Sequence, residues 1–546
     1  MQTFPSFFVF WSFSFALLSC IPATGQSQIT TNPLIWADAP DTSILRVGDI
    51  YYMSSTTMHL SPGLPIFFSK DLVNWKLASY AHGNLADTDG LNLVNGRSEY
   101  GAGSWASSLR FHNGLFYVST FSASTNRTHV FITDDPLSGR WQERSFQPRL
   151  HDNSLFFDDN RVYMVYGGHD IRLIELLPDC SGVKPGGVNQ IIVPEASKAA
   201  GEPVGLGAEG SQMFKVGGKY YLFNITWPRG SMRTEIVSRA DRITGPYETR
   251  VCMRDRGIAQ GGIFDTPNGK WLAVLFRDAG AVGRIPYIMP VEWKDGWPVL
   301  GVGSKVPDQM PDLVSRESEV PALVCSDNFD SGIIDSGDTS PNIRLNPVWQ
   351  WNHNPDPDGW SLTQKAGFLR LTARRTDDNL VLARNTLTQR TFGPQCSASV
   401  KLDVSGLKPG DYAGLCLLQK YYGFVGVKAN EDGSRQVVVV TLPAEKKQTQ
   451  ETAVLTLNPG QADVWLKIDC DFRNQRDLAR FAFSQDGKRW IPARDAFKMV
   501  YTLPHFMGYR YGLFHFSTRE AGGNADFDWF WIGTGTEKGQ RVPVEK

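Results

Sequence analysis

The chain has 546 residues, with 55 Lys+Arg against 56 Asp+Glu and so a formal net charge of −1. That balance excludes a nucleic-acid binder driven by phosphate neutralisation. An apolar share of 41%, with 12% aromatic residues, excludes a disordered chain, and the 52 Gly and 32 Pro favour an all-β one.

Phe7 to Ile21 is largely apolar and is followed by Pro22, Ala23, Thr24 and Gly25. This reads as a secretory signal peptide over 1–25, and places the protein outside the cell. No Lys or Arg stands near Met1, and Leu17-Leu18-Ser19-Cys20 offers a lipoprotein site as the alternative. No second apolar run is long enough to cross a bilayer, so no membrane association is expected. Beyond Cys20 there are six widely spaced cysteines, Cys180, Cys252, Cys325, Cys396, Cys416 and Cys470. One or two disulfides and buried free thiols are both open. Asn126-Arg127-Thr128 is the candidate glycosylation site, because the second sequon, at Asn224, falls in an apolar strand.

Residues 26–305 carry a repeat. An apolar strand, a short turn of Gly, Asp or Asn and an aromatic-rich strand recur from Ile44, Leu109, Leu155, Met213 and Ile263. The turns Val47-Gly48-Asp49-Ile50 and Val216-Gly217-Gly218-Lys219 have hairpin chemistry. Polar turns before Trp75, Trp141 and Tyr247 suggest an outer strand pair between the copies. Four strands per unit at a period near 50 residues predict a five-bladed β-propeller, with a β-sandwich or β-solenoid as the rival. Residues 306–324 are polar and Pro-rich and read as a linker. From 325 to 546, alternating strands such as Val464 to Cys470 predict a β-sandwich of the jelly-roll or concanavalin type.

In a propeller, residues just before each inner strand converge on the axis. Asp41 stands three residues before Ile44, Asp152 three before Leu155 and Glu209 four before Met213, while blades two and five offer Trp105 and Gln260. Converging carboxylates are costly in a purely structural core. They suit the cleavage of a glycosidic bond, which needs a carboxylic acid for the leaving oxygen and a carboxylate to activate water or attack C1. A third carboxylate can tune the acid by like-charge repulsion. Trp36, Trp105 and Phe223 are candidates for stacking on sugar rings.

These segments carry a resemblance. Ala39-Pro40-Asp41-Thr42-Ser43-Ile44, His151-Asp152-Asn153-Ser154 and Ala208-Glu209-Gly210-Ser211 resemble the three acidic motifs of glycoside hydrolase family 43. Ser104 to Ser107, Ala259 to Ile263 and Gly283 to Tyr287 resemble further stretches of it. Val348 to Pro355 is similar to the C-terminal sandwich of its β-xylosidase and arabinofuranosidase members. The resemblance implies an inverting enzyme with Asp41 as general base, Glu209 as general acid, Asp152 as pKa modulator and Arg284 on the substrate. Inversion implies base and acid carboxyls about 6.5–9.5 Å apart. Thr42 stands where the family has Pro, and Asp38 is a rival base. Asn153 replaces another frequent Pro.

Other residues keep two readings. His59 could line the site or cap a turn, His151 could simply bond a strand end, and Arg233 could reach a branched substrate or lie on the surface. Asp327 and Asp528 could hold a structural calcium in the sandwich. No metal is expected in the catalytic site, and the chemistry requires no cofactor. The expected activity is removal of α-L-arabinofuranosyl residues from arabinoxylan or its oligosaccharides, with β-D-xylosidase, possible dual activity, and a non-catalytic carbohydrate-binding propeller as alternatives. A monomer is expected.

Overall fold

A computed structural model describes residues 30–314, 316–330 and 344–535, so the segment 1–25, expected to be a signal peptide, and Cys20 lie outside the described residues. Five four-stranded antiparallel sheets follow one another along the chain, each a simple meander. Their inner strands are Ser43–Val47, Ser108–His112, Ser154–Asp158, Val204–Val216 and Ala259–Asp265. They are the blades of a propeller. In blades 1 to 3 the inner strand starts within one residue of its sequence signal. In blade 4 it starts nine residues earlier, at Val204, because the first two strands of that blade continue past the hub.

Repeated serines join the inner strands. The backbone N–H of Leu109 donates to Ser43 Oγ at 3.0 Å, that of Leu155 to Ser108 Oγ at 3.2 Å, and that of Met213 to Ser154 Oγ at 3.0 Å. Each bond satisfies a buried amide that would otherwise be costly. Arg110 crosses the same hub: its guanidinium donates to Leu155 O, Ser154 Oγ and Gln212 Oε1.

Among the described residues, each blade is built from four strands consecutive in the chain. Thr30–Thr31 pairs with Gln309–Met310, and the Asn32 side chain bonds the backbone of Ile288 and Pro307. The stretch read as a linker therefore helps close the propeller.

The second unit is a sandwich of a seven-stranded and an eight-stranded sheet. Asp463–Asp471 alternates between half-buried and buried residues, as a strand with one face on the core must. The apolar core is continuous between the units, running from Met53, Ile263 and Val274 to Trp351, Leu387 and Tyr509. The described cysteines are all free thiols; Cys396 and Cys470 sit opposite each other on paired strands, and both contact the Tyr511 hydroxyl at 3.3 Å. Asn126 is exposed in the turn between two strands of blade 2. Asn224 is buried, and its amide donates to Glu209 O and Ser211 Oγ.

Candidate active site

At the hub the backbone turns sharply where the candidate residues stand. Asp41, Asp152 and Gln260 have φ of 53°, 46° and 59°. Non-glycine residues rarely occupy this left-handed region, and when they do it is often at functional sites. Gly210, directly after Glu209, has φ of 65°, and a Cβ there would lie 2.7 Å from Gln260 Cγ. Only glycine lets the blade-4 backbone approach blade 5 this closely. Asp41, Asp152 and Gln260 line one small axial cavity together with Ala106, Gly210 and Gln212.

Asp41 is buried, and its Oδ1 accepts from Arg284 Nη1 at 2.8 Å. Burial pushes its carboxyl up to about 6 against the opposing charge of Arg284, with Asp38 adding to the rise. Asp152 is also buried and accepts the Gly210 N–H at 2.9 Å. Burial pushes it up to about 7; His151 opposes the shift, and the charges of Glu209 and Asp41 add to it. Glu209 is more open, its side chain 25% exposed, and His151 Nε2 lies 3.1 Å from its Oε2. Burial disfavours the charged form of His151, yet the bond to Glu209 and the charge of Asp152 raise its pKa overall. His151 therefore does more than bond a strand end. Among the described residues, His151, Asp152 and Glu209 are the one group of three or more His, Cys, Asp or Glu with ligand-type atoms within 4.8 Å of one another.

Asp38, the rival base, has both carboxylate oxygens engaged by backbone: Arg284 N at 2.7 Å and Gly508 N at 3.0 Å. It fastens the propeller to the sandwich.

Aromatic residues form the wall. The Trp105 ring lies 4.9 Å from Phe506 and 5.9 Å from Phe121, and Phe121 meets the edge of His151 at 5.0 Å. Phe506 lies 4.7 Å from the Arg284 guanidinium carbon. It belongs to the sandwich, so the second unit supplies part of the wall. No hub-strand pattern could have found it.

Three expected sugar contacts lie elsewhere. Phe223 is fully buried, packed edge-on against Phe214 at 5.7 Å in the core. Trp36 lines a groove between the two units with Trp75 and Pro394, and its backbone accepts the Gly393 N–H. His59 is buried at the junction of the two units, bonded to Asn352 at 3.1 Å and packed on Tyr100 and His353. Burial pushes its imidazole down to about 3, a neutral packing residue. In the sandwich, Asp327 accepts from Phe329 N and Trp349 Nε1, and Asp528 pairs with Lys401 at 3.0 Å. Protein donors thus engage both aspartates proposed for calcium.

Glu235 was not anticipated. It is fully buried in blade 4, and its Oε2 accepts the Gln260 N–H at 2.7 Å. Burial pushes its carboxyl up to about 8. Between pH 4.5 and 8 the unfolded state releases this proton and the folded state keeps it, so Glu235 lowers stability as pH rises through that window. Glu235→Gln removes that slope. Relative to the parent, its unfolding free energy is expected to be ~1–3 kcal/mol better at pH 8 than at pH 5, measured by denaturant titration at both pH values. An equal difference at both would show that Glu235 is ionised in the folded protein.

The family model described as Glycosyl hydrolases family 43 matches residues 30–298, and that of the Beta xylosidase C-terminal Concanavalin A-like domain matches residues 341–532. A beta-xylosidase of Formosa agariphila is 28% identical over 91% of this chain and 89% of its own. A non-reducing end alpha-L-arabinofuranosidase of Bacteroides ovatus is 26% identical over 91% of this chain and 94% of its own. A solved structure of a bifunctional GH43-CE protein from Bacteroides eggerthii is 52% identical, with a TM-score of 0.88 over 93% of this chain; the chain spans 64% of that protein's length. The first family model spans the five-bladed propeller and the second the sandwich behind it, and the chain belongs to glycoside hydrolase family 43.

Proposed function

We propose that this glycosidase removes single terminal α-L-arabinofuranosyl units from arabinoxylan or its oligosaccharides, with inversion of configuration. The observation that carries the reading is the hub itself: a buried Asp41 beside Arg284, within electrostatic reach of a more open Glu209 that Asp152 and His151 flank. Asp41 is the general base that takes a proton from water as it attacks C1. Glu209 is the general acid that donates to the leaving oxygen, and Asp152 and His151 hold protons near it. Because the oxygens of Asp38 are already engaged by backbone, Asp41 is the better base. Arg284 orients Asp41 and meets the sugar hydroxyls, and Trp105 stacks on the ring.

Release of β-D-xylosyl units is the second reading. The two pentoses present similar hydroxyl patterns, and the relatives carry both names. A binding propeller without turnover is set aside by membership of a hydrolase family. With the signal segment at 1–25, the reading places the enzyme outside the cell, acting as a monomer and without a cofactor.

The test compares rates on the nitrophenyl glycosides of α-L-arabinofuranose and β-D-xylopyranose, and follows the first-formed anomer by proton NMR. A faster arabinofuranoside with β-arabinose formed first is expected. A faster xyloside selects the second reading, and first release of the retained anomer sinks the inverting assignment.

A further inference from the structure

Blade 4 is the one blade whose first two strands run on past the hub. Glu209 pairs with Ile225, Leu206 with Trp227, and Val204 with Pro228. Trp227 stands two residues beyond the partner of the acid, about 7 Å at ~3.3 Å per residue, close to the length of one sugar unit. It is 42% exposed, unusual for so large an apolar side chain.

A second route leads to the same spot from the base. Arg284, bonded to Asp41, lies 5.2 Å from the Phe276 ring centre. Arg233 lies 6.0 Å from that ring and 5.6 Å from the Trp227 ring. Asp278, opposite Arg284 in the strand register, holds Arg233 at 2.7 Å. Trp227 therefore lies at the rim where blades 4 and 5 meet, between the acid and Arg284. Its ring is already fixed: Arg233 packs over it, and the indole N–H donates to Ser231 O at 2.9 Å. A large exposed side chain held in one orientation loses little entropy when a ligand lands on it.

We infer that Trp227, braced by Arg233, is the stacking platform for the sugar on the leaving-group side of the cleaved bond. The acid protonates the leaving oxygen, so the unit carrying that oxygen extends from Glu209 toward solvent, along the strands that carry Trp227. The apolar C–H face of a pyranose fits an indole face, and Arg233 and Asp278 offer polar partners to its hydroxyls. The inference rests on the proposed reaction and adds to it a preference: leaving groups that are themselves sugars, as in a xylan backbone, over small aryl groups.

Trp227→Ala and Trp227→Phe test it. On arabinoxylo- or xylo-oligosaccharides, Trp227→Ala is expected to lose ~10-fold more kcat/KM than on the nitrophenyl glycosides, mostly through KM, and Trp227→Phe to recover much of it. Equal losses on both substrate types, or none, would overturn the platform. A binding measurement separates this from failure of the substrate assignment. Xylotriose is titrated by calorimetry into Glu209→Gln protein and into the same protein carrying Trp227→Ala. A Kd weakened about tenfold supports the platform whichever pentose is released, and an unchanged Kd overturns it.

Discussion

Glu209→Gln is expected to lose ~10³-fold or more in kcat/KM on glycosides with a sugar leaving group, and far less on dinitrophenyl glycosides. The amide keeps the shape of the side chain but has no proton to give. A sugar alkoxide cannot leave without one, whereas dinitrophenolate is stable unprotonated. The slope of log(kcat/KM) against leaving-group pKa should therefore steepen sharply. Asp41→Asn removes the base instead. Its loss, ~10³- to 10⁴-fold, should be the same for every leaving group, because water must be activated in each case. Asp38 still engages the backbone of Arg284 in that variant, so a thermal melt close to the parent's separates lost chemistry from lost fold. A leaving-group-independent loss for Glu209→Gln, or a steepened slope for Asp41→Asn, would exchange or remove the roles proposed here.

The hub was legible because propeller geometry turns sequence offsets into a place. Asp41, Asp152 and Gln260 each precede or open an inner strand, and each takes the left-handed turn that aims a side chain at the axis. The strand repeat was legible for the same reason, through hairpin turns and alternating burial. Aromatic residues close to the hub in sequence do not all face it. Phe223 pairs with Gln212 and points into the core between blades, and period-two alternation from Leu222 could have placed it there. Trp36 and His59 lie close to the hub in sequence, but the sandwich covers them: Gly393 packs on Trp36, and Asn352 and His353 on His59. Contacts between units hundreds of residues apart leave no local pattern. Phe506 and Gly508 were invisible on the same ground, since a short loop of irregular sequence carries both.

That loop gives the other large effect. Phe506 has φ of 53°, and its backbone oxygen accepts from Arg284 Nη2 at 3.4 Å. Its neighbour His505 stacks on Tyr100 of the propeller at 3.9 Å between ring centres. The ring of Phe506 thus shields the Arg284–Asp41 pair from water and extends the aromatic wall beside Trp105. Phe506→Ala should leave the sandwich folded, since Tyr509 and Tyr511 still anchor the following strand in the core. It should lower kcat/KM ~10- to 100-fold by admitting water and loosening the sugar's position. The pH profile then identifies the cause. Burial is the largest influence on Asp41, lifting it from 3.8 to about 6, and the base must be ionised to act. Opening the wall weakens that influence, so the acidic limb of kcat/KM should move to lower pH, never higher. Asp152, pushed up to about 7, titrates in the same range. The informative quantity is accordingly the shift between variant and parent, not either midpoint alone. Phe506→Tyr, which restores a ring, should return both the rate and the limb. A fall in kcat/KM with the acidic limb unmoved would mean that Phe506 only packs the two units together and does not set the environment of the base.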